Sequence, residues 1–195
     1  MDTLSASVLR DRKPQIGIVL GSGLGALADR IEEAETLPYS DIPGFPVSTA
    51  PGHKGRFVFG TIGSKEVVLM DGRVHLYEGY TPQQVVMPIR LMRQMGVDTV
   101  ILTNASGGIR RDLHAGDLML LTDHISSLVP SPLRGENDPA LGVRFPDMRH
   151  VYDEDLQRLF RQTAKALDIP LKSGVYIQLQ GPAFETPAEI KMCAA

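Results

Sequence analysis

Residues 17–29, GIVLGSGLGALAD, run from an apolar stretch through a glycine-rich turn into a helical pattern. Gly21, Gly23 and Ala26 fit G-x-G-x-x-G/A, the spacing of a dinucleotide-binding turn. That reading requires a second strand close behind, ending about 20 positions on in an acidic residue that holds a ribose. Asp41 lies in that region, but Pro38, Pro43, Pro46 and Pro51 surround it and rule out a central strand. The stretch therefore predicts a buried first strand over residues 16–20, an anion-binding loop, and a helix over residues 24–33.

Working outward, strand and helix patterns alternate to the end of the sequence. RFVFGTI and EVVLMD predict a hairpin across Gly63 and Ser64. Thr81, Pro82 and Gln84 form a capping box with proline at the first helical position, opening a helix that ends at Gly96 and that Pro88 should bend. TVILTNA and DLMLLTDHI predict further buried strands and GVYIQLQ a late strand, and Asp153 caps the amphipathic run EDLQRLFRQTAKALD. Such alternation predicts an α/β fold with a wholly or partly parallel sheet, whose function lies in the loops at the strand ends.

The chain has 195 residues, 43% hydrophobic and 22% charged, enough for one domain with a sizeable core. A net charge of -3 argues against tracking a nucleic-acid backbone, which needs a basic face. The single cysteine, Cys193, supplies neither a disulfide framework nor a cysteine metal site. The five histidines show no metal-ligand spacing, so no metal is expected. The residues before Ile16 lack the apolar core of a signal peptide, and no run reaches transmembrane length. The expectation is a soluble, cytoplasmic protein without a membrane partner.

Four loops carry candidate chemistry. In DGRVHLYEGY, residues 71–80, an extended backbone would point Arg73, His75 and Tyr77 one way, as a rail for an anion and hydroxyls. The plainer reading pairs Arg73 with Glu78 or Asp71 and leaves His75 and Tyr77 half-buried. TNASGGI, residues 103–109, offers small residues whose backbone N–H groups can approach an anion, or simply a tight turn. Neither Ser22 nor Ser106 completes a nucleophile elbow, because Leu20 and Asn104 stand where its first glycine belongs. His53 sits in the glycine-flanked APGHKGRF, as a ligand or merely as a solvated side chain.

In QGPAFETPAEI, residues 180–190, Thr186 to Glu189 is a capping box, which makes Glu189 structural. Glu185 then stands just before the helix beside Phe184. A carboxylate next to an aromatic ring can hold a heterocycle by its N–H edge. Alternatively Phe184 is a staple against Ile190 or a neighbour, with Glu185 in water.

Taken in order, VLGSGLG, PGHKGRF, GRVHLYEGY, TNASGG, DHIS, PLRGEND, RFPDM and GPAFETPAEI give a chain that resembles the trimeric purine nucleoside phosphorylases. The resemblance implies a central mixed, partly barrel-like β-sheet flanked by helices, in one domain over residues 1–195. It implies a pentosyltransferase that cleaves 6-oxopurine (deoxy)ribonucleosides with inorganic phosphate, giving free base and (deoxy)ribose 1-phosphate. No cofactor is implied beyond phosphate as co-substrate. Ser22, His53, Arg73, His75 and the backbone N–H of Ala105 would hold phosphate, with His75 and Glu185 catalytic. Tyr77 would meet the ribose, Phe184 and Glu185 the base. Phe145 would reach the ribose site of a neighbouring subunit in a homotrimer. Relatives continue beyond EIKMCAA, so the resemblance also implies a C-terminally incomplete domain, with an inactive phosphate- or nucleoside-binding fragment as the alternative. Methylthioadenosine and xanthosine phosphorylases are the nearest alternatives in substrate.

Overall fold

IGIVL has a side chain to bury on both faces of a sheet, and four of the five residues of strand β1, Ile16–Leu20, are indeed buried. It occupies an inner position in a five-stranded mixed sheet. The computed structural model describes residues 12–48 and 54–194, and the chain divides into two units, Met1–Ser106 and Gly107–Ala195.

In the first unit the sheet order is β2 (Glu32–Pro38), β3 (Arg56–Ile62), β4 (Lys65–Asp71), β1, β5 (Thr99–Leu102). The β2–β3 and β3–β4 pairs are antiparallel, whereas β1 is parallel to both β4 and β5. The hairpin turns at Gly63, whose φ of 58° suits glycine, and pairs Ile62 with Lys65. Helix α1, Pro82–Gln94, starts at the Thr81 capping box and runs through the buried Pro88. It lies in the chain between β4 and β5, the crossover that parallel strands require.

The strand periodicity sorts the core to two faces. Val19, Phe57, Phe59, Val68 and Met70 pack with Tyr39, Phe45 and the α1 residues Leu91 and Met92. Ile18, Leu20, Val58, Val67 and Leu69 pack with Ala28 and Ile31. Rings of Tyr39, Phe45 and Phe57 meet at centroid distances of 4.8, 5.0 and 5.6 Å, tilted or edge-on, and each such pair adds about 0.5–1.5 kcal/mol beyond its area. Tyr39 Oη donates to Gly72 O at 2.8 Å. Burial, and then the charge of Asp71, pushes this phenol well above the ordinary tyrosine range.

The expected helix over residues 24–33 is a correction. A shorter 3-10 segment, Gly25–Arg30, is followed directly by β2. Gly60 explains the turn: a Cβ there would lie 2.3 Å from Ile31 Cγ2 and 2.4 Å from Glu32 O, so only glycine lets the chain cross β3 this closely. β2 is an edge strand ending at Pro38, antiparallel to β3, so no parallel dinucleotide-binding unit follows the glycine loop.

The second unit pairs β6 (Leu118–Ile125) with β7 (Leu171–Ile177) in parallel. Asp153 caps helix α2, Glu154–Ala166, by accepting from Leu156 N, and Thr186 caps helix α3, Pro187–Cys193. Among the described residues of this unit no side chain is fully buried.

Candidate active site

The three parallel strands of the first unit end side by side. Leu20 is level with Asp71 and Val19 with Leu102, so the loops that follow β1, β4 and β5 emerge together at the carboxyl edge of the sheet. These loops carry Ser22, Arg73 and Ala105, three of the expected phosphate ligands, at the place where open α/β sheets bind ligands.

Contact between the loops is close. Gly21 N donates to Thr103 Oγ1 at 2.8 Å, and that hydroxyl donates to Val19 O at 2.7 Å. A guanidinium nitrogen of Arg73 reaches from the end of β4 to Thr103 O at 2.9 Å. Thr103 thus ties all three strand ends together. A Cβ on Gly21 would lie 2.6 Å from Asn104 Cα and 2.7 Å from Thr103 O, both backbone atoms. Gly21→Ala is expected to cost about 1–3 kcal/mol by overpacking. A denaturant midpoint equal to wild type would contradict this packing.

Ser22 is exposed at the turn, and Gly23 takes a φ of 85° that L side chains rarely adopt. Exposed Ala105 follows Asn104, whose amide donates to Ala105 O at 3.3 Å. His53 lies outside the described residues.

The extended rail expected over residues 73–77 is corrected in part. The chain is extended at His75 but turns at once into a 3-10 segment, Leu76–Glu78. The rings of His75 and Tyr77 stack at 4.7 Å with 18° between planes, so the two still share a side. Glu78 anchors this turn: its carboxylate, 3% exposed, accepts from His75 N at 3.1 Å and Ser48 Oγ at 3.0 Å. Asp71 is held by Arg56 Nε at 2.9 Å.

The second unit carries the remaining candidates. Phe145 is 88% exposed, with the Arg144 guanidinium 5.9 Å from its ring centroid. Phe184 is 97% exposed, which removes the staple reading. Glu185, half-buried, precedes the α3 cap. Glu189 is structural as expected: Thr186 N donates to its carboxylate at 2.6 Å, and its own N–H returns to Thr186 Oγ1 at 3.3 Å. These bonds hold its carboxyl below the usual glutamate range. A depressed folded-state pKa gives support that is present at neutral pH and lost as pH falls through that lowered value. Acid is therefore expected to fray the start of α3 first, read as faster amide exchange at Glu189 than in the middle of α2.

Sequence reasoning missed Thr103, whose role depends on which strands are neighbours. It named Glu78 only as a partner for Arg73, although a glutamate three residues after His75 has the spacing of a cap. Among the described residues no three His, Cys, Asp or Glu side chains gather as metal ligands, and no helix is long and apolar enough to cross a membrane.

Comparison with known proteins gives the family. Residues 15–195 match the Phosphorylase superfamily. Purine nucleoside phosphorylase 1 of Geobacillus stearothermophilus is 51% identical over 179 residues, covering 92% of this chain and 65% of the relative. The Schistosoma mansoni purine nucleoside phosphorylase solved with adenosine superimposes with a TM-score of 0.87 at 43% identity, covering 93% of this chain and 65% of that one. Its structure with inosine gives 0.87 at 41% identity, covering 95% and 65%. The chain thus spans about 65% of the length of these relatives. It belongs to the phosphorylase superfamily, and the relatives it matches there are purine nucleoside phosphorylases.

Proposed function

We propose that this protein is a pentosyltransferase that splits purine nucleosides with inorganic phosphate. The observation that carries the reading is the convergence of three parallel strand ends on Thr103, which supports reading their loops as an anion cradle within a chain 51% identical to a purine nucleoside phosphorylase. In this reading Ser22, His53, Arg73, His75 and the Ala105 N–H hold a phosphate dianion, and no other cofactor takes part. Tyr77 lies against the ribose, and Phe184 and Glu185 receive the base.

The chemistry follows from charge. As the C1′–N9 bond breaks, its electron pair leaves with the purine and positive charge grows on the sugar. An adjacent dianion stabilises that charge and then bonds to C1′, giving ribose 1-phosphate. Fixing the dianion in a cage turns a two-body encounter into an oriented one. Glu185 accepts hydrogen bonds only from a base with N–H groups, so the reading selects 6-oxopurines. Adenine, with a bare N1, would leave the carboxylate without its donor.

The family match runs unbroken over residues 15–195, which supports reading both units as parts of one phosphorylase domain. A homotrimer, in which Phe145 of each subunit completes the neighbour's ribose site, fits the 88% exposure of that ring. The low cysteine content is consistent with a cytoplasmic setting.

The test is base release from inosine, guanosine, xanthosine, methylthioadenosine and adenosine, each with phosphate. Preference for inosine and guanosine supports the proposal. Preference for methylthioadenosine or xanthosine moves the substrate assignment, and phosphate binding without release from any of the five reduces the protein to a binding fragment.

A further inference from the structure

Four charged side chains of the first unit form a closed network beside the strand-end loops. Asp71, the last residue of β4, is 3% exposed. Arg56 Nε donates to Asp71 Oδ2 at 2.9 Å, and Lys54 Nζ stands 4.0 Å from the same oxygen. Asp29 Oδ1 lies 3.5 Å from Lys54 Nζ and 3.8 Å from a terminal nitrogen of Arg56. Two cations and two carboxylates balance, which is what a buried carboxylate needs.

The members come from three segments that the proposed function assigns to phosphate. Asp29 lies in the 3-10 segment after the glycine loop, Lys54 and Arg56 follow His53 in the chain, and Asp71 precedes Arg73 by two residues. A Cβ placed on Gly25 would come within 3.5 Å of Asp71 Oδ1, so the carboxylate sits against the end of the glycine loop. Between Asp71 and Arg73, Gly72 O is held by Tyr39 Oη.

A negative charge this close to an anion cradle repels phosphate, unless its effect on geometry outweighs its field. We propose that Asp71 is a positioning residue for phosphate. By gathering Arg56 and Lys54 against Asp29, it fixes the glycine loop and the Arg73 segment at the separation a bound dianion requires. This inference rests on the phosphate-site reading above.

The two effects of Asp71 have opposite signs, and that makes the inference testable. Simple Coulomb repulsion predicts that Asp71→Asn binds phosphate more tightly, whereas loss of positioning predicts weaker binding. The full chain would be titrated calorimetrically with inorganic phosphate, well below its unfolding temperature. Wild type, Asp71→Asn, Asp29→Asn and Arg73→Met would be compared, and inosine would be titrated separately. Asp71→Asn is expected to weaken phosphate about tenfold, as misplaced binding groups do, with inosine affinity unchanged. Asp29→Asn, whose carboxylate is exposed, is expected to weaken it about twofold to fivefold. Equal or tighter phosphate binding by Asp71→Asn overturns the inference. Equal loss of inosine and phosphate affinity also overturns it, since that marks general damage to the fold.

Should Asp71→Asn fail to fold, Asp29→Asn decides: unchanged or tighter phosphate binding by that variant overturns the inference. Failure of the underlying reading is distinguishable. If wild type itself does not bind phosphate, the site assignment falls and the positioning role with it. If Arg73→Met loses phosphate while Asp71→Asn retains it, only the positioning role falls.

Discussion

Arg73→Met is expected to lower phosphate affinity at least about a hundredfold, because a fork of charge-assisted hydrogen bonds, each contributing about 1.5–3 kcal/mol, is lost at once. On the proposed reading the effect is concentrated at this residue. Arg73 starts at the end of β4 and reaches Thr103 O beyond β1 at 2.9 Å, so it both supplies charge and holds the loop that carries Ala105. Arg73→Lys keeps the charge but loses the planar fork, and an intermediate loss is expected. Phosphate titration of both variants decides: affinity within a few-fold of wild type for Arg73→Met would remove this side chain from the site.

Glu185→Ala is expected to lower turnover of inosine about a hundredfold or more, since a site built to accept a substrate N–H discriminates strongly through that bond. Phosphate affinity should be unchanged, because the candidate phosphate ligands all belong to the first unit. That split separates a base-recognition role from general damage. Steady-state rates on inosine, set beside a phosphate titration of the same sample, measure both parts. Turnover within a few-fold of wild type would overturn the assignment of Glu185 to the base.

Features whose cause is local were legible in the sequence. The capping boxes at Thr81 and Thr186 and the cap at Asp153 stand where their spacing put them. The continuous apolar runs of β1 and β4 were readable because both faces of those strands are buried. The Arg56–Asp71 pair was not drawn from the sequence, which offered Asp71 to Arg73, yet it follows from the hairpin register: with Ile62 opposite Lys65, counting back six residues on one strand and forward six on the other brings the two charges level.

What was not legible depends on contacts between distant segments. β2 buries only Leu37 of its seven residues, so it has no strand periodicity, and its existence follows from pairing with β3 and from the space Gly60 leaves. The turn at residues 76–78 replaced an extended rail because Glu78 closes back on His75 N. Thr103 reads as an ordinary strand-end residue until β1 and β5 are known to be neighbours. At the candidate site the residue types were readable, and the convergence of Gly21, Arg73 and Thr103 was not.

The most direct test of the central claim, that these strand ends hold the phosphate which attacks a purine nucleoside, is phosphorus NMR of the full chain with inosine and inorganic phosphate. Growth of a sugar 1-phosphate resonance in step with free hypoxanthine, abolished by Arg73→Met, is the predicted result. Hypoxanthine released at the same rate without phosphate, with inorganic phosphate left unchanged, would show hydrolysis and contradict it.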